Sequence, residues 1–292
     1  MTSHTIKLTD GRQLGYAEYG PPSGRPVLYF HGTPSSRLEL LLLGHYGVDL
    51  EGMLGEAGLK LLAVDRPGMG LSTFNPNGDF LSFASDAGEL MQQLGILNCP
   101  VLCWSGGGPY ALATAYLYPA RITHATIICG FSRHFDEQVV RSMHHNVWYF
   151  RAARYIPALL RASLYIVSRS RVNHTVPQKL TGLPFKDFQY IKRLRDLRTL
   201  ARYTLKESCR VNAKGAVHEA RSYFKHFGFD LTTIQQPVHY WWGSQDKAVI
   251  ELHAHAVERY VPNATMHYRP HEGHLSIWVR YMKEVLQTIS HY

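Results

Sequence analysis

The sequence has no apolar run approaching the ~18 residues that a membrane-spanning helix needs; its densest leucine run is Leu40 to Leu43. The opening stretch, MTSHTIKLTDGRQLGY, lacks both a basic start and an apolar continuation, so no secretory leader is expected. Cysteine is scarce, with four residues (Cys99, Cys103, Cys129, Cys209) and no CxxC pairing of the kind that holds a metal. Three of the four lie in apolar, strand-like surroundings, which predicts buried reduced thiols and a cytoplasmic protein. There is no internal repeat and no low-complexity tract. These absences argue against a spanning protein, a disulfide-stapled domain and a repeat array. The apolar fraction of 45% over 292 residues is ample for one large core, or a core carrying an insertion.

Acidic residues are also scarce in one place. Between Ser132 and Thr232 there are 19 Lys and Arg against 7 Asp and Glu, leaving 12 of the 31 basic and 15 of the 22 acidic residues elsewhere. The whole positive excess of this +9 chain therefore sits in a central block, which predicts a separate layer or subdomain. No nucleic-acid motif accompanies the arginines, so a solvated face accounts for them better than a nucleic-acid patch.

Outside that block, strand-like and helix-like patterns alternate. Strands are expected at Thr5–Leu8, Leu14–Tyr19, Val27–Phe30, Leu59–Val64, Val101–Trp104 and Ala125–Cys129, then at Val238–Trp242 and Thr265–Tyr268. Asp10-Gly11 reads as the turn of a first hairpin. Phe83 to Leu94, Tyr110 to Ala115, Glu251–Tyr260 and a closing run from Trp278 to Ile289 follow helical spacing. Between Phe131 and Phe227 the strand signal stops. Helices are expected around Asp136–Tyr155, Phe185–Thr204 and Ala213–His226, with breaks near Pro157, Pro177, Gly182 and Pro184. The pattern predicts an α/β protein with a mostly parallel, doubly wound sheet.

Four short stretches carry chemistry. CWSGGGP (Cys103–Pro109) puts Ser105 where a strand gives way to a helix, with small Cys103 at −2 and Gly107 at +2, as a nucleophile elbow requires. It departs from G-x-S-x-G at its first position. YFHGTP (Tyr29–Pro34) places flexible backbone at a strand's carboxyl end, making the N–H groups of Thr33 and Gly106 oxyanion-hole candidates with Gly32 supplying room. WWGSQD ends a strand and delivers Asp246; HEGHLS follows another and delivers His274. His274 would take the Ser105 proton and Asp246 would orient the imidazole. Taken singly, Asp246 reads as a turn or helix-cap aspartate, and His274 is one of 17 histidines.

With HGTPSSR, DRPGMGLS (Asp65–Ser72), WSGGGPYALA, GFDL (Gly228–Leu231) and GHLS, the chain resembles the α/β-hydrolase family over most of residues 5–290. The resemblance implies an α/β-hydrolase core over 1–130 and 228–292 and a helical cap inserted over 131–227. It also implies a structural turn at Asp65 and Arg66. The family sometimes carries its acid after the sixth strand; no carboxylate occurs here until Asp136, so Asp246 is preferred. Serine at the elbow favours acyl transfer, since relatives that open epoxides or displace halides carry aspartate there. The expected function is hydrolysis of a carboxylic ester, thioester, lactone or small amide through an acyl-enzyme. A triad-bearing receptor with little turnover and a carbon–carbon bond hydrolase stay open.

Some likeness to proline iminopeptidases is present, but a cap with few carboxylates predicts a neutral or anionic small-molecule substrate rather than a cationic one. Glu219 on the last cap helix is the exception. Trp104, His31, Trp148 and Glu219 are the pocket candidates, and His144-His145, Tyr149 and Phe150 either line the pocket or pack the cap. Neither His253/His255 nor His271/His274 has zinc spacing with a third ligand, so no metal and no cofactor are expected. No nucleic-acid partner is expected; weak contact of the basic cap with an anionic surface stays open, as does oligomeric state.

Overall fold

LKLLAV (Leu59–Val64) is apolar at all but Lys60, and both it and ITHATII (Ile122–Ile128) are buried at all but one position, which suits strands covered on both faces. The computed structural model describes residues 1–144, 146–170, 185–191 and 194–292. It places eight strands in one sheet: β1 Thr2–Lys7, β2 Gln13–Tyr19, β3 Arg25–Phe30, β4 Leu59–Val64, β5 Cys99–Trp104, β6 Ile122–Ile128, β7 Val238–Gly243 and β8 Ala264–Arg269. Their order is β1-β2-β4-β3-β5-β6-β7-β8. β1 pairs with β2, and β2 with β4, antiparallel. All later pairings are parallel, from β4–β3 through β7–β8. The chain goes from β3 outward to β4, then returns to the other side of β3 as β5. That reversal opens a crevice at the carboxyl ends of β3 and β5, the usual position of a site in such sheets.

The hairpin turns at Gly11, whose φ of +88° is a conformation glycine adopts at little cost. Helix Phe80–Gln93 starts at a capping box, with Asp79 accepting from the Ser82 N–H at 2.7 Å, and buries Phe80, Phe83, Leu90 and Met91. Helix Gly108–Leu117 follows β5 directly and is buried over most of its length, its small residues allowing close approach to the sheet.

Between β6 and β7 the described elements are all helical. The expected helix over Asp136–Tyr155 is two, Glu137–Ser142 and Val147–Tyr155. The expected break near Pro157 falls at Ile156, and Pro157 is the first residue of a further helix, Pro157–Arg169, where its missing N–H goes unused. Two helices that follow β3 in the chain, Leu41–His45 and Leu50–Ala57, have no clear periodic signal. The closing run divides into His274–Arg280 and Met282–Ser290. The expected breaks at Pro177, Gly182 and Pro184, and His145, lie outside the described residues. Among the described residues no helix is long and apolar enough to cross a membrane.

Candidate active site

The three glycines after Ser105 each answer to a different neighbour. A Cβ on Gly106 would run into the Thr33 side chain, one on Gly107 into the Phe30 carbonyl, and one on Gly108 into the Phe131 carbonyl. Backbone from β3 and from the segment after β6 thus closes around the turn. Ser105 itself has φ +55°, a strained value for a residue with a side chain. Gly107 also faces Cys103, since its added Cβ would lie 2.9 Å from the Cys103 Cβ. Bulk at −2 is accommodated because there is none at +2, which explains why cysteine can stand where the usual motif has glycine.

His274 and Asp246 come from the loops after β8 and β7. The His274 Nδ1 donates to Asp246 Oδ2 at 2.7 Å. The other carboxylate oxygen accepts from the Ala248 and Val249 N–H groups at 2.7 and 2.8 Å, so Asp246 is both a turn aspartate and the imidazole's partner. Trp104 stacks on the His274 ring with centroids 4.9 Å apart, and on Trp278 at 4.6 Å. Burial pulls the His274 pKa down, but Asp246 outweighs it, with Asp187 and Glu39 adding to the effect; the result lies above the ordinary 6.5. A charge on the imidazole is stabilised where proton acceptance from a serine would need it.

The loop after β3 is held by Glu39, which is fully buried. It accepts from the Tyr29 hydroxyl at 2.7 Å and from the Gly32 N–H at 2.9 Å. Burial pushes its pKa up to about 7 against the opposing pull of those bonds. The Gly32 N–H is therefore committed to Glu39, whereas no described residue accepts the Thr33 N–H. Gly32 lies close to the nucleophile, an added Cβ falling 3.4 Å from the Ser105 Cβ. From the helical block, the Tyr223 hydroxyl donates to the Gly106 carbonyl at 2.8 Å and so fixes the peptide that follows.

Ser105, His274, Thr33, Gly32 and Trp104 share the wall of a cavity of about 320 Å³ with Glu39, Phe131, Asn146, Tyr149, Phe150 and Leu200. Larger depressions lie elsewhere, but the residues lining them include neither Ser105 nor His274. Three pocket candidates lie off this wall. His31 is fully buried beneath it, its Nδ1–H on the Gly32 carbonyl at 2.8 Å; burial and Arg66 push its pKa well below 6.5. Trp148 is 72% exposed on the outer side of its helix. Glu219 is ion-paired with Arg66 and accepts from the Thr33 hydroxyl, which leaves it no part in holding a substrate cation. Tyr149 and Phe150 do line the cavity. His144 does not, and His145 is outside the described residues.

Sequence reading missed Glu39, Asn146, Phe131 and Tyr223, which have no motif and reach the site only through folding. Asn146 donates to the Ala248 carbonyl at 2.7 Å and ties the helical block to the loop of Asp246. Arg66 spans the same boundary, bonding the His31 and Gly32 carbonyls at 2.5 and 2.6 Å besides Glu219. Among the described residues one cluster has metal-ligand types together, Cys129, Asp246 and His274, with ligand atoms within 4.8 Å. Burial pushes the Cys129 thiol well up, the facing Asp246 carboxylate adding to the shift, while the His274 Nδ1 is already bonded to Asp246. With the His274–Asp246 pair bonded and the thiol held protonated, the cluster fits a proton relay better than a metal.

A strained serine on a strand-to-helix turn beside a histidine–aspartate pair, at the carboxyl edge of a mostly parallel sheet, is the layout of a hydrolase. A family profile described as the alpha/beta hydrolase fold matches residues 25–281, and the chain belongs to that family. It is 29% identical over 131 residues to a non-heme chloroperoxidase of Streptomyces lividans, covering 42% of this chain and 43% of that protein. It is 34% identical over 119 residues to a putative proline iminopeptidase of Mycoplasma genitalium, covering 39% and 35%. The chain thus spans under half the length of these relatives. Its fold is similar to that of an esterase from Rhodococcus, with TM-score 0.68, 20% identity and 99% of each chain covered.

Proposed function

We propose that this protein hydrolyses a carboxylic ester, or a related thioester, lactone or small amide, through an acyl-enzyme. Ser105 Oγ attacks the carbonyl carbon and His274 takes its proton. Asp246 orients the ring and stabilises the imidazolium. The Thr33 and Gly106 N–H groups receive the developing oxyanion. His274 then returns the proton to the leaving group, and water deacylates Ser105 by the same steps in reverse. The observation that carries the reading is a strained Ser105 opening on one cavity with a His274 already paired to Asp246 at 2.7 Å.

The helical block acts as a cap, contributing Phe131, Asn146, Tyr149 and Phe150 to the cavity wall. That wall has no Lys or Arg among its described residues, and Glu39 is its one carboxyl besides. A small, neutral, largely apolar acyl group fits it better than an anion or a cation. Four unpaired buried thiols support a reducing, cytoplasmic setting. The test is reaction of the purified protein with a fluorophosphonate probe and a panel of p-nitrophenyl esters. Wild type should label and turn over while Ser105→Ala does neither; an unlabelled, inactive wild type would refute the assignment.

A further inference from the structure

The helix His274–Arg280 begins at a residue that cannot cap it. Its N-cap is Gly273, which has no side chain, so the N–H groups of the first turn need an acceptor from elsewhere. Asp187 supplies it, from the short helix Phe185–Phe188 of the helical block, 87 residues away in sequence. Asp187 Oδ2 accepts from the His274 N–H at 2.8 Å. Oδ1 accepts from Leu275 at 3.1 Å and from Ser276 at 2.8 Å. The side chain is 1% exposed. A Cβ on Gly273 would run into this carboxylate, so glycine at the cap position is the complement of an aspartate arriving from another part of the fold. Lys186 adds a second tie at 2.7 Å to Glu272, just before that glycine.

We propose that Asp187 is a positioning residue: the cap's own carboxylate ends the helix that starts at His274, and thereby sets the imidazole against Asp246 and Ser105. This rests on the hydrolase reading above. A buried carboxylate is costly unless its oxygens are satisfied. Here three backbone donors and the positive end of a helix satisfy it, and all three belong to the segment that begins with His274. Seating of the cap and placement of the base are then one event. A cap that lifts takes away the acceptor, and the first turn of the helix frays with His274 on it.

The charges facing His274 are Asp246 from the loop after β7, Asp187 from the cap and Glu39 from the loop after β3; the neutral Cys129 thiol faces Asp246. All three carboxylates favour the imidazolium. The base works when neutral, so removing the Asp187 charge moves the acid limb of kcat/KM to lower pH.

Asp187→Asn is compared with wild type in two measurements: the pH profile of p-nitrophenyl ester turnover, and the histidine NMR titration of His274, assigned with His274→Gln. The expected result is a downward shift of both by roughly half a unit or more, with kcat reduced about tenfold. Phe185→Ala, 63% exposed on the same short helix, should shift neither. If Asp187→Asn does not fold, Asp187→Ser keeps a short acceptor without the charge. A folded variant whose limb, titration and kcat all match wild type overturns the proposal. Should wild type show no Ser105-dependent turnover, the hydrolase reading fails, while the NMR titration still decides the role of Asp187.

Discussion

At the residue scale, the site is a set of side chains whose charges are stabilised by specific partners. Ser105→Ala or His274→Ala should lower kcat by about 10³ or more, and the double variant by little beyond the worse single one, because the groups act as a unit. Steady-state kinetics on the single and double variants check this. With the His274 pKa raised above 6.5, the acid limb of wild-type turnover is expected above that value. Asp246→Asn should move that limb down as well as reduce kcat. Glu39 gives a separate prediction with a definite sign. Its folded pKa of about 7 lies above the ordinary 4.5, so the folded state holds the proton more tightly than the unfolded chain. The stability this contributes relative to Glu39→Gln is fully present below pH 4.5 and is lost as pH rises through 7. Denaturant unfolding of both proteins at the two ends of that window measures it.

At the element scale, the turn from β5 into helix Gly108–Leu117 is fixed by what surrounds it. Gly108→Ala would press a methyl against the Phe131 backbone, which cannot rotate away as a side chain could. It should cost about 1–3 kcal/mol and lower the melting temperature by several degrees. Gly44→Ala, where an added Cβ meets nothing within 4 Å, is the control and should leave the melting temperature unchanged or slightly raised. The strand positions were legible because buried parallel strands write continuous apolar runs. Helix Pro157–Arg169 was not: most of its positions are exposed, and only the break before it, near Pro157, shows in the sequence. The helices Leu41–His45 and Leu50–Ala57 are too short to establish a period.

At the scale of the whole molecule, core and helical block are joined by buried charge. Arg66 pairs with Glu219, and Arg37 bridges Asp65 at 2.9 Å and Glu207 at 2.7 Å. Arg66→Met strands the Glu219 carboxylate at 4% exposure and should destabilise by about 3–5 kcal/mol. Adding Glu219→Met should recover part of the loss, a coupling of at least about 1 kcal/mol in a denaturation cycle. Glu219 reads in the sequence as the one acid of the last helix in a basic block, available to a substrate amine. Its pairing with Arg66, 153 residues away, gives it a structural use instead.

The sequence by itself determined the alternation of strands and helices, the central basic block, and the four motifs that bring Ser105, Asp246, His274 and Thr33 to strand ends. Each of these is local, because apolar periodicity and turn chemistry are written over a few neighbouring residues. Which carboxylates the fold uses as partners was decided only by the tertiary structure. Glu39, Asp187, Glu219 and Glu207 have no motif around them, and burial with hydrogen bonds across long separations gives each its role. Local pattern records which backbone a residue sits on; the company of a buried charge is recorded nowhere until the chain has closed around it.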